Sequence, residues 1–476
     1  QVTLNADLDH AGLGAIDGDR GSITQNTVAS IEVTTHQLTA IAAENIDLDT
    51  VVDRIDVRST LAGDIVIRDG SSLQVDHAET VDGAINIRAA LDVLALNVKA
   101  AGNTGDVTLL AIAGDIGIGS VTANSNVVVT ASLGAIHDQN DDSLVDLSAA
   151  TGTIRLTAAH EIAGLGADNR IELADGSQLI ATNRSGDIRL SGLGSLTLTN
   201  IVTGDGAIDI VAKGTVDAVW VDSSATDSDV NDISMVTTLG DVRVSHVRAG
   251  VLNGDVSIDA QGSVLDGDTG VDDVDIEGND VLLIARSGDI GTPTGQFFID
   301  RPNGLDVITH ASPLTPLEMG DLTANAVNGA VVLQATVAGS LQSTAVTLYV
   351  LSDGDLDTST SIFNVTNLAL IADTDGDGLG TLTLADSLLV SGDLWLEGAD
   401  VVSAGPSAPL ISLSASRLLF RSGGQAELSV ATQALDATTE NDLRISSTLA
   451  DIELVDLNED LFALQTIAPT ASLALY

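Results

Sequence analysis

Cysteine is absent from this 476-residue chain, aromatic residues make up 2% of it, and lysine occurs only at Lys99 and Lys213. Without cysteine there is no disulfide framework, no thiolate metal site and no cysteine nucleophile. Eighteen Lys and Arg against 68 Asp and Glu leave a formal charge of −50. That balance excludes a nucleic-acid binder, because affinity for phosphate backbones comes from cations that release counterions. An anionic membrane surface repels such a chain as well. No apolar run approaches the roughly 18 residues of a membrane span, so no membrane insertion is expected. The chain opens on Gln1 with no charged stretch and apolar core of an export leader ahead of it, and reads as a processed form or a fragment of something longer.

What is present is aliphatic. Hydrophobic residues reach 44%, mean hydropathy is +0.30, and there are 46 glycines, so the chain folds rather than behaving as a disordered polyanion. Large cores usually rely on aromatics, each of which buries a large area. A core of Ala, Val, Leu and Ile is expected to be thin and regular.

One pattern recurs: Gly, then Asp or a small residue, then aliphatic residues at alternate positions. It is seen at Gly63-Asp64-Ile65-Val66-Ile67, Gly83-Ala84-Ile85-Asn86-Ile87, Gly114-Asp115-Ile116-Gly117-Ile118, Gly186-Asp187-Ile188-Arg189-Leu190, Gly240-Asp241-Val242-Arg243-Val244 and Gly392-Asp393-Leu394-Trp395-Leu396. Period-2 alternation marks a strand with one buried face, and the Gly-Asp ahead of it marks a turn. Spacings between copies are 20 (63 to 83), 22 (83 to 105), 20 (186 to 206) and 34 (206 to 240, 254 to 288). The pentapeptide Arg184–Ile188 recurs intact at Arg286–Ile290. Short strands without two-residue Asn-Gly hairpins argue against a sandwich. The pattern predicts an all-β, right-handed parallel β-helix (β-solenoid) of roughly twenty coils, with inward ladders of like aliphatic residues.

All seven prolines fall at or after Pro293, four of them within Gly291–Gly320. Proline is excluded from paired central strands. The expected organisation is therefore a solenoid stack over 1–290, an irregular coil or joint over 291–320, and a continuing stack over 321–476 with a self-associating end.

Candidate metal-binding residues are acidic. Asp373-Thr374-Asp375-Gly376-Asp377-Gly378 places Asp373, Asp375 and Asp377 like the opening of an EF-hand loop, although Leu384 stands where the bidentate Glu belongs. Ca²⁺ is the candidate cofactor; an ordinary Asp/Gly turn is the alternative. A weaker set is Asp266, Asp268, Asp272 and Asp273. With His137–Asp142 and Asp222–Asp232, that segment is expected to leave the stack at one corner as an acidic ridge, or as a solvated edge that blocks sideways strand pairing.

Catalytic patterns are missing. Asp-Asp occurs at Asp141-Asp142 and Asp272-Asp273, without the Gly-His-Gly and Arg-Ile-Lys elements of polygalacturonase-like helices. Trp220-Val221-Asp222-Ser223 keeps half of a pectate-lyase-like element and lacks its His. The expectation is no enzyme and no catalytic residue.

The Gly-Asp-Ile-x-Leu coils, the run Ala285–Pro293, Phe298-Ile299-Asp300 and Gly329-Ala330-Val331-Val332-Leu333 together resemble repeats of filamentous haemagglutinin-like exported exoproteins and adhesins. The resemblance runs from about Ile65 to Leu396 and is at the level of repeats. It implies export to the bacterial cell surface and work as a fibre or adhesin. The expected partners are further copies of the chain, joined head to tail, and cell-surface glycans or neighbouring cells. The alternatives are a carbohydrate-binding or polysaccharide-degrading β-helix, and a passive rod segment of a giant monomeric adhesin.

Overall fold

Alternating aliphatic residues do form strands here, and the strands stack in parallel. The computed structural model describes residues 1–6, 21–24 and 33–292 (apart from 104, 141, 166–168, 252 and 268–273), 305–309, 321–404 (apart from 338, 375–376 and 386) and 410–422. Beyond these it describes the backbone of the strands between Ala426 and Leu475. Among the described residues there is no helix, and the fold is a parallel β-solenoid. Two compact units divide the chain, Gln1–Thr238 and Leu239–Tyr476.

In the first unit, one file of aligned residues runs Ile23, Ile46, Ile65, Ile85, Val107, Val127, Ile154, Leu179, Leu198, Ala218. A second runs Leu73, Val93, Ile116, Ile136, Ile162, Ile188, Ile208, Ile233. A third, Ala78, Val98, Val121, Leu147, Leu173, completes a three-sided coil. From Ile46 onward these side chains are buried. Each buried Ile or Val contributes roughly 1.5–3 kcal/mol by leaving water. At Ile188–Gly192 the second and third files merge: Ile188 pairs with Ile162 and Leu190 with Ile171.

The second unit has an equally continuous file: Val242, Val264, Ile290, Val331, Leu348, Leu368, Leu394, Leu418, Leu435, Ile452, Leu473. The register crosses 291–320, since Ile290 pairs with Val331 and Val281 with Leu322; residues 293–304 and 310–320 lie outside the described ones. The two compact units meet in sequence at Thr238 and Leu239. The spacing of 34 is not a coil step. Ile208 pairs with Ile233 and Val256 with Val281, so the next strand in register lies between successive Gly-Asp copies.

A second apolar layer distinguishes this unit. Val332, Tyr349, Ala369, Trp395 and Leu419 align on adjacent strands and are buried, on the side opposite the aliphatic file. Ala369 between the two rings leaves them room. An aromatic-poor sequence thus concentrates two of its rings in one patch.

The Gly-Asp motif has a structural role that turn propensity alone does not reveal. The Asp oxygen caps the backbone N–H at the matching place in the following coil. Asp64 N donates to Asn45 Oδ1 at 2.9 Å and Ala84 N to Asp64 Oδ1 at 2.8 Å. Asp115 N donates to Asp92 Oδ1 at 3.0 Å and Ala135 N to Asp115 Oδ1 at 2.8 Å. In the second unit the chain of caps runs from Asp255 to Asp280, Asp321 and Ser340, with bonds of 3.0, 2.8 and 2.7 Å. Where the chain bends into a strand, the parallel ladder supplies no carbonyl, and an orphaned N–H is costly. Asp115→Ala is therefore expected to cost about 1–3 kcal/mol in a urea titration, whereas Asp115→Asn, which keeps the acceptor, stays near wild type. Equal losses in the two variants would show that charge and not capping matters.

Arginines add bridges between coils. Arg54 grips Asp76 with bonds of 3.0 and 2.9 Å, Arg286 grips Asp259, and Arg417 grips Asp393. The Arg54 guanidinium holds the Asp76 carboxyl below the usual carboxylate range.

Candidate functional site

Three of the described acidic residues converge at one place, just before the second and third files merge. Asp138 ends the strand Ile136–Asp138, Asp146 immediately precedes Leu147–Ala149, and Glu172 is the centre of Ile171–Leu173. Leu147 pairs with Leu173, which stacks Asp146 directly against Glu172 in the adjoining coil. Carboxylate oxygens of all three residues lie within 4.8 Å of one another, and the residues are 2%, 1% and 1% exposed.

Backbone bonds hold the cluster in place. Glu172 N donates to Asp146 Oδ2 at 2.9 Å, Asp146 N to the Glu172 carbonyl at 2.9 Å, and Val121 N to the Asp146 carbonyl at 2.7 Å. Asn140 N donates to Asp138 Oδ1 at 2.8 Å. Burial, foremost, pushes the Asp146 carboxyl up to about 7; the Glu172 N–H and carboxyl oppose the rise, and the charges of Asp138 and Asp142 add to it. Such a group exchanges a proton near neutral pH.

Sequence reading placed Asp138 in a solvated acidic segment and did not single out Asp146 or Glu172. Alternation sends Glu172 outward from between Ile171 and Leu173, yet all three residues of that strand are buried. The available signal was the shared 26-residue step: once Leu147 is known to face Leu173, Asp146 must face Glu172.

The expected calcium residues lie elsewhere. Both Asp373 carboxylate oxygens accept from Gly378 N, at 3.1 and 3.2 Å, and Asp377 Oδ1 accepts from Leu379 N at 2.9 Å. These oxygens take part in the hydrogen bonds of the turn; Asp375 is outside the described residues. Asp266 ends the strand Val264–Asp266 opposite Val244, while Asp268, Asp272 and Asp273 lie outside the described residues. None of Asp266, Asp373 and Asp377 belongs to a converging group of three among the described residues.

The acidic segments do not share a corner. Within the first unit, one leaves between Ile136–Asp138 and Leu147–Ala149, the other between Val221–Asp222 and Ile233–Thr237. These joints belong to different sides of the coil. The second segment is folded back on itself: Asn231 Nδ2 donates to the Ser223 carbonyl at 2.5 Å and to Thr226 Oγ1 at 2.9 Å, and Thr226 Oγ1 donates to Asp205 at 2.9 Å. Trp220 is 42% exposed and Trp395 is buried, so the two tryptophans do not form one exposed sugar platform. The chain matches no family model, no curated protein and no solved structure.

Proposed function

We propose that this chain is an exported structural or adhesive solenoid of the bacterial cell surface, a fibre subunit or spacer whose stack is its working part. The observation that carries this reading is where the polar chemistry is used: Asp64, Asp115, Asp280 and Asp321 cap the following coil, and Arg54, Arg286 and Arg417 bridge coils. These named side chains are aimed at the adjoining coil. A coil edge carries rows of N–H and C=O groups that accept another strand, so a second copy can add by β-augmentation. A head-to-tail contact that does not close yields a filament. Glycans or neighbouring cells are the proposed targets of the resulting surface.

Negative-stain microscopy across a dilution series tests the reading. The expected images are uniform fibres that lengthen with protein concentration. Isolated particles at every concentration would remove the filament proposal and leave a monomeric spacer.

A further inference from the structure

We propose that Asp146 and Glu172 share one proton across adjoining coils, and that its loss as pH rises releases the loop joining Ile136–Asp138 to Leu147–Ala149. The cluster sits at the feet of that loop. Asp138 holds the upstream foot through Asn140 N, and Asp146 holds the downstream foot through Val121 N and both Glu172 bonds. Two carboxylates stacked in register and both almost fully buried cannot ionise together without large Coulomb and desolvation costs. A shared proton removes the repulsion and turns it into a carboxyl–carboxylate hydrogen bond.

Among the described residues, the cations packed around the pair are engaged with other carboxylates or exposed. The packed strands Val121–Ala123 and Val127–Ala131 carry no titratable residue. His137, beside Asp138, lies 3.8 Å from Glu161; Asp142, in the loop, adds negative charge. Arg155 on Thr153–Ala158 is exposed, Arg170, just before Ile171–Leu173, is bonded to Asp209 at 2.5 Å, and Arg189, on the strand Ile188–Gly192 that pairs with Ile171–Leu173, is bonded to Asp187 at 2.7 Å. A proton is therefore the neutralising species that this geometry supplies.

The direction of the pH effect follows from linkage. Asp146 titrates in the folded chain at about 7 against 3.8 for the free group, so the folded state binds more protons between those values. Its contribution to stability is fullest at the acid end, drains as pH rises towards 7, and changes no further above it.

Hydrogen exchange measured by mass spectrometry, corrected for intrinsic rates, tests the latch. Protection of peptides covering residues 139–150 is expected to fall by about tenfold to a hundredfold between pH 5 and 8 in wild type. In Asp146→Asn, whose amide keeps the acceptor for Glu172 N and supplies a donor in place of the shared proton, protection stays within about twofold. Glu172→Gln is the second variant, with the same expectation. Peptides covering residues 85–100 serve as the internal control and should not differ between wild type and the variants. If neither variant folds, infrared spectra of wild type decide, through the C=O stretch of a protonated buried acid that vanishes near neutral pH. Equal pH dependence in wild type and both variants overturns the proposal. So does protection restored at pH 8 by added Ca²⁺ in wild type alone, since a cation would then be the neutralising species.

Discussion

Trp395→Ala is expected to cost about 3–5 kcal/mol, read as a lowered urea midpoint. The indole is 2% exposed, lies between Ala369 and Leu419 in register, and donates from Nε1 to Glu397 Oε2 at 2.9 Å. Removing it leaves a cavity among Val332, Tyr349, Leu351, Ile371 and Leu419 that the strands cannot close, because their spacing is set by backbone bonds on both sides. Trp395→Phe keeps much of the packing and gives up the indole bond, so a cost of about 1–2 kcal/mol is expected. Trp220, the other tryptophan, is 42% exposed, so the alanine variant should also lose the buried-indole fluorescence. A change below about 1 kcal/mol would mean that the outer layer contributes no packing.

Gly134→Ala is the second severe change expected. A Cβ at this position would stand 2.2 Å from the Gly114 carbonyl oxygen and 2.5 Å from both Gly114 C and Asp115 Oδ1. The Gly114 atoms are backbone of the preceding coil, and Asp115 is held by its cap on Ala135 N, so nothing nearby can yield cheaply. The coils must separate locally, which places the cost at or above the roughly 1–3 kcal/mol typical of an overpacked core. Gly354→Ala is the control. Nothing lies within 4 Å of a Cβ there, and loss of chain entropy in the unfolded state should make the change neutral or stabilising by up to about 1 kcal/mol. Similar urea midpoints for the two variants would overturn this account of close coil contact.

The fold class was legible because strand chemistry is local and repetitive. Ile65, Ile85 and Val107 stand at steps of 20 and 22 in the sequence, and they pair in that order. Legibility failed where a step changed length. Between Gly206 and Gly240 the motif skips a strand: Ile233, without a Gly-Asp ahead of it, is the residue that pairs with Ile208. The carboxyl cluster was illegible for a related reason. Asp138 stands in a run rich in Asp and Asn, and composition at such a site cannot distinguish an inward foot of a loop from its solvated tip.

By itself the sequence determined the parallel all-β stack and its aliphatic files, since alternation decides which side chains share a face and like residues repeat at coil intervals. It also placed the Gly-Asp turns. Tertiary structure alone decided what the acidic residues do. Whether an Asp caps a neighbouring N–H, pairs with an Arg or is buried against Glu172 depends on which residue stands one coil away. That partner is set by the lengths of the intervening loops, and loop length carries no periodic signal in the chain.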